Sequence, residues 1–282
     1  MIVDLRRPRM LSVGSFEVGI VDSGEDHEDQ APILLLPGTG GSTKRHYGFV
    51  HPMLSLRRRV VGVDFGPAPS PDGAMSLDDL RDQALAVAED VLPGRRFLIC
   101  GYSLGAEVAA LVAAERPDLV EGLVLVGGWL RSDAHQRLRN SVWRTLRRED
   151  SAALRDYMTF CAFSSAYLAA RAPEELERLP ERFVLGDLID QHMRLTPTID
   201  LTEVVEKVVA PTLVVGCSLD QMVPPRATKQ LFGAIADARY AEVASGHAIH
   251  TERPAEMLRL VEQFASEPTG TPAGSILRGI TA

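Results

Sequence analysis

Phe97-Leu98-Ile99-Cys100-Gly101-Tyr102-Ser103-Leu104-Gly105-Ala106-Glu107 is the stretch whose reading decides the fold. Its first residues make an apolar run of strand length. From Leu104 to Glu115 the chain is rich in alanine, which is helical composition. Between the two lies G-x-S-x-G, Gly101 to Gly105, on the strand-to-helix turn that gives this pentapeptide a chemical meaning. A serine hydroxyl is a weak nucleophile until it is held in the open beside a base. A tight turn lifts it clear of a sheet and crowds the backbone until only glycine fits at Gly101 and Gly105. The N–H of Leu104 then opens the helix and can point at a developing oxyanion. The plain alternative is a glycine-bounded turn whose serine has no chemical role.

Working outward, apolar runs alternate with helical stretches. Ile33-Leu34-Leu35-Leu36, Val60 to Phe65, Leu123 to Val126 and Thr212 to Gly216 are continuous, as in strands buried on both faces of a mostly parallel sheet. Helices are predicted from Thr43 to Leu54, Ser76 to Val91, Leu104 to Glu115, Pro225 to about Ile235 and Thr251 to Phe264. Ser76 with Asp79 three residues on is a helix-start signal. Leu11 to Val21 alternates around Gly14-Ser15 and predicts a hairpin, and Ala238 to Val243 is the last predicted strand. The whole predicts an α/β fold, a mostly parallel sheet with helices on both faces.

Between Arg131 and Asp200 the rhythm changes. Strand-like runs vanish and helical patterns follow one another between Pro173, Pro180 and Pro197, which predicts a helical cap inserted over the sheet. In its first helix Leu138, Val142 and Leu146 recur at four-residue spacing as an apolar stripe among arginines. The aromatics Tyr157, Phe160 and Phe163, with Trp129 at the preceding strand end, are pocket candidates; otherwise they are core. The expected organisation is a core from 1–130, a cap over 131–200, the rest of the core over 201–267 and a flexible Pro/Gly/Thr-rich tail over 268–282.

Composition narrows the function. Of 282 residues, 30 are basic and 38 acidic, a net charge of −8 that argues against nucleic acid as a partner. Cys100, Cys161 and Cys217 read as buried thiols of a reducing compartment rather than a disulfide framework. The stretch Met1 to Pro8 lacks the apolar core of a signal peptide, and no apolar run reaches the length of a membrane span. The expectation is a cytoplasmic protein with no membrane partner. The loop Pro37-Gly38-Thr39-Gly40-Gly41-Ser42 is not a phosphate cradle, because Lys44 stands between Thr43 and Arg45 rather than between glycine and Ser or Thr. Its better use is to lend a backbone N–H, that of Thr39, to an oxyanion hole shared with Leu104.

Ser103, Asp220 and His247 fall at the C-terminal ends of three predicted parallel strands, the edge where open α/β sheets bind ligands. Their chain order is nucleophile, acid, histidine. His247 can take the serine proton as general base, and Asp220 can hold its tautomer. His250 is a rival base and Asp133 a rival acid. Asp64 reads as structural or pocket-lining; His46, His51 and His135 read as surface or loop histidines.

Taken together, Gly101-Tyr102-Ser103-Leu104-Gly105, Leu219-Asp220 with Val223-Pro224, and Gly246-His247 with Glu252-Arg253-Pro254 resemble the α/β-hydrolase fold family. The resemblance covers about Leu11 to Phe264, with the cap inserted after the strand ending near Val126. It implies a serine hydrolase that cleaves an ester, lactone or thioester of a small acyl substrate through an acyl-enzyme on Ser103, needing neither metal nor organic cofactor. The alternatives are acyl transfer or thioester cleavage on a carrier-bound chain, and a low-turnover binding or sensing protein. One departure is Pro37-Gly38, where many relatives carry His-Gly. Arg131, Arg137, Arg139, Arg144, Arg147 and Arg148 either dock an acidic carrier protein or form the solvated face of the cap helix.

Overall fold

The computed structural model describes residues 4–24, 26–27 and 29–277. The first part of the core contains β1 (Arg9–Val13), β2 (Phe16–Asp22), β3 (Ile33–Leu36), α1 (Thr43–Tyr47), α2 (Val50–Leu54), β4 (Val60–Asp64), α3 (Leu77–Val91), β5 (Phe97–Tyr102), α4 (Leu104–Glu115) and β6 (Val120–Val126). The cap follows as α5 (Ala134–Arg148), α6 (Ala153–Ala162), α7 (Ser165–Ala169), α8 (Pro173–Arg178) and α9 (Asp187–Leu195). The core resumes with α10 (Thr202–Val205), β7 (Thr212–Cys217), α11 (Pro225–Ala234), β8 (Ala238–Val243), α12 (Ile249–Glu252), α13 (Pro254–Ser266) and β9 (Ile276–Leu277).

The sheet order is β1-β2-β4-β3-β5-β6-β7-β8-β9. The β1–β2 and β2–β4 pairs are antiparallel, and every later pair is parallel. From β3 the chain goes outward to β4, then returns to place β5 on the other side of β3. That reversal opens a crevice beyond the C-terminal ends of β3 and β5.

Strand side chains alternate between two cores. Leu34, Leu36, Ile99, Leu123, Leu125 and Val214 pack with α3, α4, α10 and α11. Ile33, Leu35, Leu98, Val124, Leu213 and Val215 pack on the opposite face with α2 and α13. Both faces are covered, which is why the strands read as unbroken apolar runs. The fold is the α/β-hydrolase fold. All three cysteines are buried and free. Among the described residues no helix is long and apolar enough to cross a membrane.

Four local expectations need correction. The helix predicted from Thr43 to Leu54 is two helices, α1 and α2, separated at Gly48 and Phe49. Tyr47 pins α1 to the sheet, its single hydroxyl proton shared between Leu36 O (2.9 Å) and Cys100 O (3.0 Å). The stripe of α5 divides: Leu138 is 69% and Val142 45% exposed, Leu146 packs against the cluster around Trp143, and Gln136, Asn140 and Trp143 are buried. Asn140 can be buried because its amide donates to Met193 O (2.7 Å) and Thr196 Oγ1 (3.1 Å).

The tail is not loose over its described part. β9 pairs with β8, Gly274 N–H donates to Ala238 O (2.8 Å), and the buried Arg239 donates to Thr271 O (2.6 Å). An uncovered β8 would leave a sheet edge unpaired. Residues 278–282 of the expected tail lie outside the described residues, as do 1–3 of the amino-terminal stretch. Finally, His51 is fully buried, its Nε2 at 3.3 Å from Val21 O, so it is no surface histidine. His135 is exposed as expected, although its Nε2 lies 2.7 Å from Gln221 O.

Candidate active site

Ser103 follows β5 and opens α4 with φ 51° and ψ −127°, a backbone region side-chain residues avoid. The turn holds it there by crowding. A Cβ on Gly101 would lie 2.2 Å from Gly105 O, and one on Gly105 would lie 2.1 Å from Leu36 O. Ser103 N–H donates to Val126 O (2.8 Å) and Ala106 N–H to Ser103 O (2.7 Å), so the elbow is fastened on both sides.

Two other loops converge on it. His247, after β8, has Nε2 2.9 Å from Ser103 Oγ and Nδ1 2.6 Å from Asp220 Oδ2. Asp220, after β7, accepts on Oδ1 from the N–H groups of Met222 (2.7 Å) and Val223 (2.8 Å). Both carboxylate oxygens are thus engaged, one of them by the imidazole alone. Tyr102 donates its hydroxyl to His247 O (2.9 Å), and Gly127 leaves room for the imidazole edge. An unbroken hydrogen-bond line therefore runs from carboxylate to imidazole to hydroxyl, buried at each member. Such a line can draw the serine proton onto the ring while the acid stabilises the imidazolium.

The N–H groups of Thr39 and Leu104 have no acceptor among the described residues. Their loops meet at the serine, since a Cβ on Gly38 would lie 2.9 Å from Ser103 Cβ. The Pro37-Gly38 departure is met by a histidine from elsewhere. His46 on α1 accepts from Gly38 N–H (3.0 Å), and His192 on α9 accepts from Gly40 N–H (3.2 Å). Both rings accept at Nδ1, so both are neutral with the proton on Nε2. Burial holds His46 well below the usual histidine range, helped by His250, His247 and Arg45, and burial alone takes His192 to about 3.

A cavity of about 440 Å³ opens over Ser103 and His247 beneath the cap. Trp129, Tyr157 and Phe163 line it, as do Trp143, Ile189 and Met193. Phe160 does not: it is 61% exposed, because α6 turns Leu154, Met158 and Cys161 inward and Phe160 lies off that face. The cap is tied down beside the histidine. Ser164 donates its N–H and hydroxyl to the two carboxylate oxygens of Glu252 (2.7 Å each), and Ala248 N–H donates to Ala162 O (2.9 Å).

The rivals have other places. Asp133 caps α5, accepting from Gln136 N–H (3.0 Å), and pairs with Arg226. Burial would raise its carboxyl, but the Gln136 N–H and the Arg226 charge bring it below the ordinary value. His250 lines the cavity 5.0 Å from the Tyr102 ring and 4.8 Å from His46. Burial, then the His247 and Arg182 charges, depress it to about 3. Asp64 accepts from Thr43 N–H (2.6 Å) at the start of α1 and does not line the cavity. His46 lines the cavity, which corrects its reading as a surface histidine.

Sequence reasoning missed His46, His192 and Arg139, whose roles depend on what they meet across the fold. Of the six arginines, Arg139 lines the cavity, Arg147 pairs with Asp190 (3.0 Å), and Arg137 donates to Ser132 O (2.6 Å).

Known proteins place this geometry in a family. The sequence profile of the alpha/beta hydrolase family matches residues 33–260. The chain is 32% identical over 241 residues to the pyrrolizixenacetamide deacetylase of Xenorhabdus hominickii, covering 82% of this chain and 90% of that protein. Among solved structures, MGS-M2, an alpha/beta hydrolase from a Medee basin deep-sea metagenome library, has a TM-score of 0.81 at 19% identity, covering 92% of this chain and 98% of that one. The enol-lactonase of Burkholderia xenovorans LB400 has a TM-score of 0.77 at 24% identity, covering 92% and 100%. At these identities the two structures speak for the fold.

Proposed function

This chain belongs to the alpha/beta hydrolase family and is a hydrolase; from that premise we propose that it cleaves a carboxylic acyl bond through an acyl-enzyme on Ser103. The observation that carries this reading is the hydrogen-bond line from Asp220 through His247 to Ser103, at 2.6 and 2.9 Å. Ser103 Oγ attacks the acyl carbonyl as His247 Nε2 takes its proton. The N–H groups of Thr39 and Leu104, without acceptors among the described residues, receive the oxyanion. The tetrahedral intermediate collapses, His247 returns the proton to the leaving group, and the acyl chain remains on Ser103. Water then repeats the sequence, with His247 as base, and releases the acid.

An ester, lactone or thioester suits this chemistry. The deacetylase relative, by its name, adds removal of an acetyl group to the bonds worth trying. The test is a screen over acyl esters, lactones, acyl thioesters and acetamides with Ser103→Ala as the blank. Turnover in wild type and none in the blank is expected. Turnover retained by Ser103→Ala overturns the reading.

A further inference from the structure

We propose that Arg139 is an anion-binding residue of the pocket and that the natural substrate carries a carboxylate in addition to its acyl bond; this rests on the reading of Ser103 as nucleophile. Arg139 belongs to the stretch of α5 that also turns Gln136, Asn140 and Trp143 inward, and it lines the cavity that holds Ser103 and His247. Its Nε is buried without an acceptor. Among the described residues no carboxylate lies within ion-pair distance of its guanidinium, and no group accepts a hydrogen bond from it.

The other arginines of the helix differ. Arg147 is paired with Asp190, Arg137 donates to Ser132 O, and Arg144 and Arg148 are exposed to water. Among the remaining cations of the cavity, Arg182 is exposed and Arg45 is exposed with a long contact to Gly40 O (3.5 Å). The acid on the wall, Glu181, is exposed and unpaired with Arg139. Asp220 acts on Arg139 through its charge, but its oxygens are already taken by His247, Met222 and Val223.

A guanidinium does not shed its proton inside a protein, and a desolvated charge without a partner is costly. Burial lowers the Arg139 pKa, with Cys161, Tyr157 and Asp220 opposing. Tyr157 donates its hydroxyl to Arg139 O (2.9 Å), so α5 and α6 are joined where the side chain leaves the backbone. The cavity thus holds a planar fork of donors that no group among the described residues receives. A carboxylate matches that fork with two parallel hydrogen bonds. Apolar walls of Trp143, Met158 and Phe163 leave the rest of such a substrate hydrocarbon.

The experiment uses two matched pairs of esters. One places the anion on the acyl side, 4-nitrophenyl hemisuccinate against its methyl ester. The other places it on the leaving group, 4-acetoxybenzoate against methyl 4-acetoxybenzoate. In wild type the anionic member of at least one pair should lead in kcat/KM by about tenfold or more. Arg139→Met should lower that anion-to-neutral ratio by about 10- to 100-fold, the range of a hydrogen bond to a charged group, and Arg139→Lys should restore part of it. A ratio that Arg139→Met leaves unchanged, or a wild type that favours the neutral member of both pairs, overturns the proposal. Binding of the hemisuccinate ester and of 4-acetoxybenzoate to Ser103→Ala protein, by calorimetry, separates this from the fate of the nucleophile. Affinity for either that falls about tenfold or more in the Ser103→Ala, Arg139→Met double variant supports the anion site even if no ester is turned over. Equal affinity in the two proteins for both esters overturns it.

Discussion

Ser103 sits in a strained turn that two glycines make possible, and its hydroxyl meets a histidine delivered from a loop 144 residues away. Because serine and histidine act as a unit, Ser103→Ala and His247→Ala should each cost about 10⁴-fold or more in kcat, with little added by the double change. Asp220→Asn should keep the fold and lower kcat by roughly 10⁴-fold through the wrong tautomer. A nearly active Asp220→Asn would move the acid elsewhere. Glu107 is a residue-scale case of a different kind. It is fully buried, accepts from Trp129 N–H (2.7 Å), and its other oxygen has no partner among the described residues. Burial raises its carboxyl well above the ordinary range, against the pull of that N–H. A raised acid contributes stability below its unfolded pKa and loses it as pH rises through the folded value. Glu107→Gln should therefore remove the part of the fall in Tm that this carboxyl brings as pH rises above its unfolded pKa of about 4.3; a Tm that falls with pH as steeply in Glu107→Gln as in wild type would contradict this. Ser103, Asp220 and His247 were legible because each stands in a local motif at a strand end. Arg139 and His46 were not, since nothing within a few residues of either says what lies across the cavity.

At the scale of elements, the strands were legible because burial on both faces leaves an unbroken apolar signature. α5 misled for the opposite reason. Its inward face carries Asn140, whose partners lie on and after α9, and Gln136, whose Oε1 accepts from Asp133 N–H at the helix start; periodicity shows neither, and the regular spacing of Leu138 and Val142 marks an outward face. β9 was read as loose tail because two residues between turns carry no pattern, and only the open edge of β8 explains them. Ending the chain after Pro268 removes β9 and the carbonyl that Arg239 donates to. Thermal unfolding should then begin several degrees lower, for a loss of about 1–3 kcal/mol. An unchanged Tm would mean that the edge needs no cover. The cap and the core meet at His192, which accepts from Gly40 N–H beside Thr39. His192→Leu should lower kcat about tenfold with a smaller change in KM, because it loosens the loop proposed to receive the oxyanion. A change confined to KM would place His192 in substrate binding instead.

Over the whole molecule, buried histidines set the response to acid. His192 and His250 are held near pKa 3 by burial, against about 6.5 in an unfolded chain. Between those values the unfolded state binds more protons, so their contribution is complete above about pH 6.5 and drains away as pH falls toward 3. By pH 5 each has withdrawn roughly 2 kcal/mol. Urea unfolding should therefore show a midpoint that falls from pH 7 to pH 5, with a shallower fall in His250→Asn; a flat profile would contradict it. The sheet, the cap and the histidine loops converge on Ser103, proposed as the activated nucleophile of the pocket beneath the cap. Labelling by a fluorophosphonate tests that claim most directly. Intact-mass and peptide mapping of wild-type protein should find one adduct per chain, on Ser103, and labelling slowed by orders of magnitude in His247→Ala. An adduct on another serine, or folded protein that takes no label, would contradict the account.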